Sequence, residues 1–198
     1  GQVTSETRIL DVGCGWGSML HHLRECGLSS EYVGVTPSVC QRDSILSAGY
    51  KNTEICLGLA EDNWDRFAPD SFDLVLFSGS ICHLKDKTLA LKNARKLLKP
   101  AGIILVEDTF FISEEIFELH KNHPATKFVQ NDIFGFAEIT AVSRFFEQVA
   151  DSKMKIVQSL EHSDSYFRTI EKWIYNIDTK CRLKYPQAAD FIKYMSIF

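Results

Sequence analysis

With 198 residues, 45% of them hydrophobic and 24% charged, the chain is long enough to bury a full core without help from disulfides or metals. A formal net charge of −4 supplies no basic field to hold a phosphate backbone or an anionic membrane, which argues against nucleic acid as a partner. The six cysteines (Cys14, Cys26, Cys40, Cys56, Cys82, Cys181) form no C-x-x-C pair and no Cys/His cluster at zinc spacing, so reduced thiols and no bound metal are expected.

The apolar runs are too short to span a bilayer and no signal peptide is evident, so the expectation is a cytoplasmic protein without stable membrane insertion. From the N-terminus, β-rich runs at 8–12 (RILDV), 32–35 (YVGV), 53–57 (TEICL), 72–77 (FDLVLF) and 102–108 (GIILVED) read as strands. Several are apolar on both faces, the mark of parallel strands covered on two sides. Between them, SMLHHLREC places Met19, Leu20 and Leu23 on one helical face. DKTLALKNARKLLKP does the same with Ala90, Ala94, Leu97 and Leu98, and Pro100 and Gly102 are expected to stop it. Strands alternating with crossover helices predict an α/β fold, a Rossmann-like doubly wound, mainly parallel sheet.

After Asp108 the pattern changes. Phenylalanines crowd the stretch from Phe110 to Phe136 without a clear strand. TAVSRFFEQVA predicts an amphipathic helix with Val142, Phe145, Phe146 and Val149 on one stripe, and KIVQSL (155–160) predicts a sixth strand. Two helical patterns follow, YFRTIEKWIYNIDTKCRL and QAADFIKYMSIF. No repeat or linker divides the chain, so 1–198 reads as a single domain, with 110–150 an aromatic-rich insertion after the fifth strand that covers a substrate.

The stretch ILDVGCGWGSML (9–20) sets three glycines between a strand and a helix. Gly13, Gly15 and Gly17 permit a sharp turn and close approach of a ligand to the main chain at a helix N-terminus, although a purely structural strand-to-helix turn has the same composition. Dinucleotide folds carry G-x-G-x-x-G and an acid ending the next strand; here the loop is G-x-G-x-G and Val35-Thr36 supplies no acid. A nicotinamide dehydrogenase is disfavoured.

Together, LDVGCGWG, FDLVLFSGSICHL and LLKPAGIILVEDT resemble the class I S-adenosylmethionine-dependent methyltransferases over most of the chain. The resemblance implies a transferase that uses S-adenosyl-L-methionine and releases S-adenosyl-L-homocysteine, with Gly13, Cys14, Gly15 and Gly17 passing the amino-acid part of the cofactor. It adds Ser78 and Gly79 to the cofactor-binding set. GVTPSVCQ is similar to the cyclopropane fatty acid synthase branch, in which Thr and Gln replace the ribose-binding acid, so Thr36 and Gln41 inherit that role; Gln41 also reads as a solvated first-turn residue. In GLAEDNW many relatives have Asp where Leu59 stands, leaving Glu61 to accept from the adenine amine and the Ala60 N–H to serve a ring nitrogen. Trp64 stacks nearby or packs in the core.

Methyl transfer from a sulfonium is an in-line displacement, so the enzyme aligns the acceptor, excludes water and removes a proton. His83, just past the fourth strand, and Asp108, ending the fifth, both lie at the carboxyl edge on neighbouring strands, and the resemblance supports His83 as base with Asp108 as orienter or acceptor ligand. The bland alternative is that His83 caps a loop and Asp108 precedes a helix. Glu107 is a competing carboxylate in the substrate-binding set. Cyclopropane synthases hold bicarbonate with a Glu-His pair and a further His, where this chain has Cys82-His83 and Asp108; alkene cyclopropanation thereby loses its base, and O, N or activated C acceptors gain. Cys82 reads as a small packed residue. SLEHSDSYFRTIEKW resembles the branch's segment in which a Tyr faces the acceptor, which places Tyr166 among the substrate contacts and matches Thr169 and Trp173. The phenylalanines from Phe110 to Phe146 suit an apolar or aromatic acceptor, although such stripes more often form core.

Relatives carry elements before the first strand and after the last helix, so terminal elements are expected to be missing here. The expectation is methyl transfer to a small-molecule substrate, with cyclopropane synthase-like lipid modification, a non-catalytic cofactor-binding domain and a protein or nucleic acid methyltransferase as rivals. The last lacks a basic groove and an Asn/Asp-Pro-Pro-Tyr type motif. The sequence leaves the oligomeric state open.

Overall fold

The computed structural model describes residues 2–181, 184–185 and 188–195. Two compact units divide the chain, Gly1–Phe110 with Glu147–Met154, and Phe111–Phe146 with Lys155–Phe198.

The first unit is a five-stranded sheet of order β3-β2-β1-β4-β5, built from β1 (Arg8–Val12), β2 (Glu31–Thr36), β3 (Thr53–Leu57), β4 (Phe72–Ser78) and β5 (Leu98–Glu107). Every pairing is parallel. Leu10 is central, opposite Val33 on one side and Val75 on the other, and is fully buried. Helix α1 (Ser18–Glu25) presses Leu20 and Leu23 into a core with Ile9, Tyr32, Ile45, Ile55 and Leu76. Burying each such side chain contributes about 1.5–3 kcal/mol. Because the chain returns from β3 to pair β4 with β1, strand order reverses beside β1, and that reversal opens a crevice at the carboxyl ends.

Local chemistry sets the helix starts. The Ser38 hydroxyl accepts the Gln41 N–H at 3.3 Å to cap α2 (Val39–Ser47), and the Asp86 carboxylate accepts the Leu89 N–H at 2.8 Å to cap α3 (Lys87–Leu97). The end of α3 departs from the sequence expectation. The helix stops at Leu97 and β5 begins at once, so Leu98 and Pro100 are strand residues. A proline is tolerated there because β5 lies at the sheet edge, and the ladder is irregular where Phe72 pairs Leu98 but Leu74 pairs Ile103.

The second unit gathers Val129, Ile139, Ile170 and Met195, with Phe111, Phe134, Ile174 and Phe191 packed against them. Its phenylalanine-rich stretch contains α4 (Glu114–His120), capped by Ser113, and α5 (Pro124–Phe128), capped by His123, followed by a π-helical turn over Val129–Ile133. Helix α6 (Val142–Asp151) follows the expected stripe only in part: Phe145 and Val149 are buried, whereas Phe146 is exposed. Helices α7 (Ser163–Lys180) and α8 (Ala188–Met195) match the late helical patterns; the final residues of the last pattern lie outside the described residues. The predicted strand at 155–160 does not form. Apolar alternation yields a strand only where a neighbouring ladder and a covered face accept it, and Ile156, Val157 and Leu160 are exposed in irregular backbone.

Candidate active site

All the predicted cofactor-binding residues lie in the first unit, at the carboxyl ends of β1 to β4 or in the loops and first helical turns that follow them. In the first loop Gly13, Gly15 and Gly17 take φ values of 82°, 55° and 81°, the left-handed region that glycine adopts without strain. The loop is tied down from below, since Gly13 and Cys14 donate their N–H groups to the Val35 carbonyl at 2.9 and 3.0 Å. Three glycines serve three surroundings. A Cβ on Gly13 would meet Ser80 Cβ at 2.6 Å and one on Gly17 would meet Ile45 at 2.9 Å, whereas one on Gly15 would meet nothing within 4 Å among the described residues. Gly13 and Gly17 are therefore packing glycines, and Gly15 is the one whose bare backbone faces open space. Cys14 is buried, and that burial pushes its thiol up to about 12, which makes it a packed group rather than a nucleophile.

At the end of β2, Thr36 is buried and its hydroxyl donates to Gln41 Oε1 at 2.5 Å. The Gln41 amide is thereby oriented, its oxygen engaged and its NH₂ group directed away from Thr36. Past β3, Ala60–Asp62 form a 3₁₀ turn in which Ala60 is buried and Glu61 exposed. Asn63 holds this turn by donating to the Leu59 carbonyl at 2.7 Å, and Trp64 is half-buried.

The loops after β4 and β5 meet through side chains. Ser78 opposes Glu107 in the ladder, and its hydroxyl donates to Glu107 Oε2 at 3.0 Å. Gly79 (φ 63°) donates its N–H to the Glu107 carbonyl at 2.7 Å. His83 is half-buried and ends the 3₁₀ turn Ile81–His83. The Asp108 carboxylate accepts the Cys82 N–H at 3.1 Å and the Thr109 N–H at 2.8 Å, so it grips the backbone beside His83. Burial, with the Asp108 carboxylate adding to it, pushes the Cys82 thiol up to about 12. Tyr166 lies in the second unit, on α7, half-exposed and edge-on to the Trp173 ring.

Two residues of this edge escaped the sequence reading. Ser80 is buried and donates to the Val12 carbonyl at 2.5 Å, joining the β4 loop to the glycine loop. Asp11 is 2% exposed, accepts the Tyr32 hydroxyl at 2.5 Å, and keeps its other oxygen buried with no hydrogen-bond partner among the described residues. Burial pushes this carboxyl up to about 6 despite the lowering pull of the Tyr32 hydroxyl. The visible signal was a charge inside an otherwise apolar strand, ILDV.

A positively charged amino group suits this edge, because an orphaned buried carboxyl oxygen stands directly before the glycine loop. An oriented amide and an open glycine backbone suit hydroxyl and carboxylate groups. A methyltransferase domain model matches residues 3–172 of the chain. The chain belongs to that family.

The methyltransferase domain is 24% identical over 191 residues to (S)-coclaurine N-methyltransferase of Thalictrum flavum subsp. glaucum, covering 93% of this chain and 51% of that protein. It is 34% identical over 103 residues to the ubiquinone biosynthesis O-methyltransferase of Azorhizobium caulinodans, covering 50% and 39%. The chain thus spans about half the length, or less, of these curated relatives. Its backbone matches cyclopropane synthase MmaA2 of Mycobacterium tuberculosis with a TM-score of 0.80 at 18% identity, over 98% of this chain and 72% of that one. The fold is that of the class I methyltransferases.

Proposed function

We propose that this domain transfers a methyl group from S-adenosylmethionine to an oxygen, nitrogen or activated carbon of a small, partly apolar molecule. The observation that carries the reading is the glycine loop, where Gly15 presents bare left-handed backbone to open space beside the oriented Thr36–Gln41 pair. The relatives named as N- and O-methyltransferases support a heteroatom acceptor.

In this reading Gly13, Cys14, Gly15 and Gly17 receive the amino-acid part of the cofactor, with Asp11 behind them as an anionic group. Gln41, its oxygen already engaged by Thr36, offers amide N–H donors to the ribose. Ala60 and Glu61 take the adenine edge. When bound, the cofactor supplies a methyl group on a sulfonium that needs no further activation. His83 accepts the proton that an O–H or N–H acceptor loses as its bond to the methyl carbon forms. Asp108 holds the His83 turn through the Cys82 N–H, while Glu107 and Tyr166 are assigned to the acceptor.

The test is a transfer assay with isotopically labelled methyl donor against a panel of amines, phenols and unsaturated lipids. Label in amines or phenols supports the reading, and label confined to the lipids overturns the acceptor class.

A further inference from the structure

Lys87 opens α3 and is only 2% exposed, an unusual position for an ammonium group. A methionine would fill the same volume without the desolvation penalty of a buried charge, so the charge or its hydrogen bonds must matter. The Lys87 Nζ donates to the Leu84 carbonyl at 3.3 Å. On the other side of the turn, the Cys82 N–H donates to Asp108 Oδ2 at 3.1 Å. His83 is the residue between these two held neighbours. Within the turn, the His83 and Leu84 N–H groups donate to the Ser80 and Ile81 carbonyls, both at 3.2 Å. The two charged side chains also act on the same Cys82 thiol, Asp108 raising its pKa and Lys87 lowering it, so both charges lie close to this turn.

We propose that Lys87 is a positioning residue for His83, holding the backbone after the imidazole through Leu84 as Asp108 holds the backbone before it through Cys82. The role in catalysis rests on the reading of His83 as the base; the clamp itself does not. A turn gripped at both ends spends little time in other conformers, which keeps the imidazole aimed at one place.

Lys87→Met and Lys87→Gln test this, read first by amide hydrogen exchange and His83 ring NMR signals without cofactor. In Lys87→Met the His83 and Leu84 amides are expected to exchange at least about tenfold faster, with the central strands unchanged and the His83 ring signals broadened. Lys87→Gln keeps a donor and is expected to recover part of the protection; it also serves if the methionine variant fails to fold. Affinity for S-adenosylhomocysteine is expected to stay within about twofold of the parent. Unchanged exchange at His83 and Leu84 in a folded variant overturns the clamp, as does loss of protection spread evenly over the sheet. Failure of the methyl-transfer reading appears instead in the unsubstituted protein, as absence of S-adenosylhomocysteine binding.

Discussion

The Tyr32 hydroxyl donates to Asp11 Oδ2 at 2.5 Å, the one hydrogen bond among the described residues to a carboxyl that is 2% exposed and pushed up to about 6. An acid whose pKa rises from 3.8 to about 6 on folding binds its proton more tightly in the folded state. The stability that Asp11 contributes is therefore fully present below about pH 4, is lost as pH rises through 4 to 6, and changes no further above. The loss is roughly 3 kcal/mol, at about 1.4 kcal/mol per tenfold change in proton affinity.

Asp11→Asn removes that titration. Thermal melts from pH 3.5 to 8 are expected to lose the decline between pH 4 and 6, and the variant should gain about 1–2 kcal/mol at pH 7.5, less than the full amount because an unpartnered amide N–H is buried in exchange. A variant that keeps the parent's pH slope would place the titrating group elsewhere.

The glycines separate stability from binding. Gly15→Val meets open space but requires a β-branched residue at φ 55°, so it should fold with a loss of about 1–2 kcal/mol. Its affinity for S-adenosylhomocysteine should drop at least about a hundredfold, roughly the 3 kcal/mol expected when close backbone approach is blocked. Gly13→Ala drives a Cβ to 2.6 Å from Ser80 and should be the less stable of the two by chemical denaturation.

Gln41→Leu keeps the side chain's volume but removes the acceptor of the Thr36 hydroxyl, which keeps only the Ser38 N–H it accepts at 3.2 Å, and removes the amide donors. Calorimetry is expected to show about tenfold weaker S-adenosylhomocysteine binding, the worth of one good hydrogen bond, with little change in the far-UV spectrum.

His83→Ala should leave S-adenosylhomocysteine affinity within about twofold and reduce turnover by about 10²- to 10⁴-fold. Full turnover in that variant would move the base to another group.

Much of the sheet was legible because its signal is local. The runs at 8–12 and 53–57 coincide with β1 and β3, whose apolar residues answer to parallel pairing and little else. The segment at 155–160 carries a similar local pattern and forms no strand, since a strand also requires a partner and the sequence does not record whether one arrives. Helices α4 and α5 were hidden for the opposite reason: short, phenylalanine-rich and without a clean stripe, they are set by Ser113 and by His123 ahead of Pro124.

At the site, the glycines, Thr36, Gln41, His83 and Asp108 were legible as motif positions. What each touches was not, because contacts such as Gly13 against Ser80 or Asp108 on the Cys82 N–H join residues far apart in sequence. In the sequence Asp11 reads as part of the motif. Its burial against Tyr32 depends on the register that sets β1 beside β2.

The most direct measurement is calorimetric titration of the purified domain with S-adenosylhomocysteine, with NAD as the control. Saturable micromolar binding of S-adenosylhomocysteine, absent with NAD and lost in Gly15→Val, is the predicted result. A folded domain that binds neither compound, or that binds NAD instead, would contradict the assignment of this edge as a methyl-donor site.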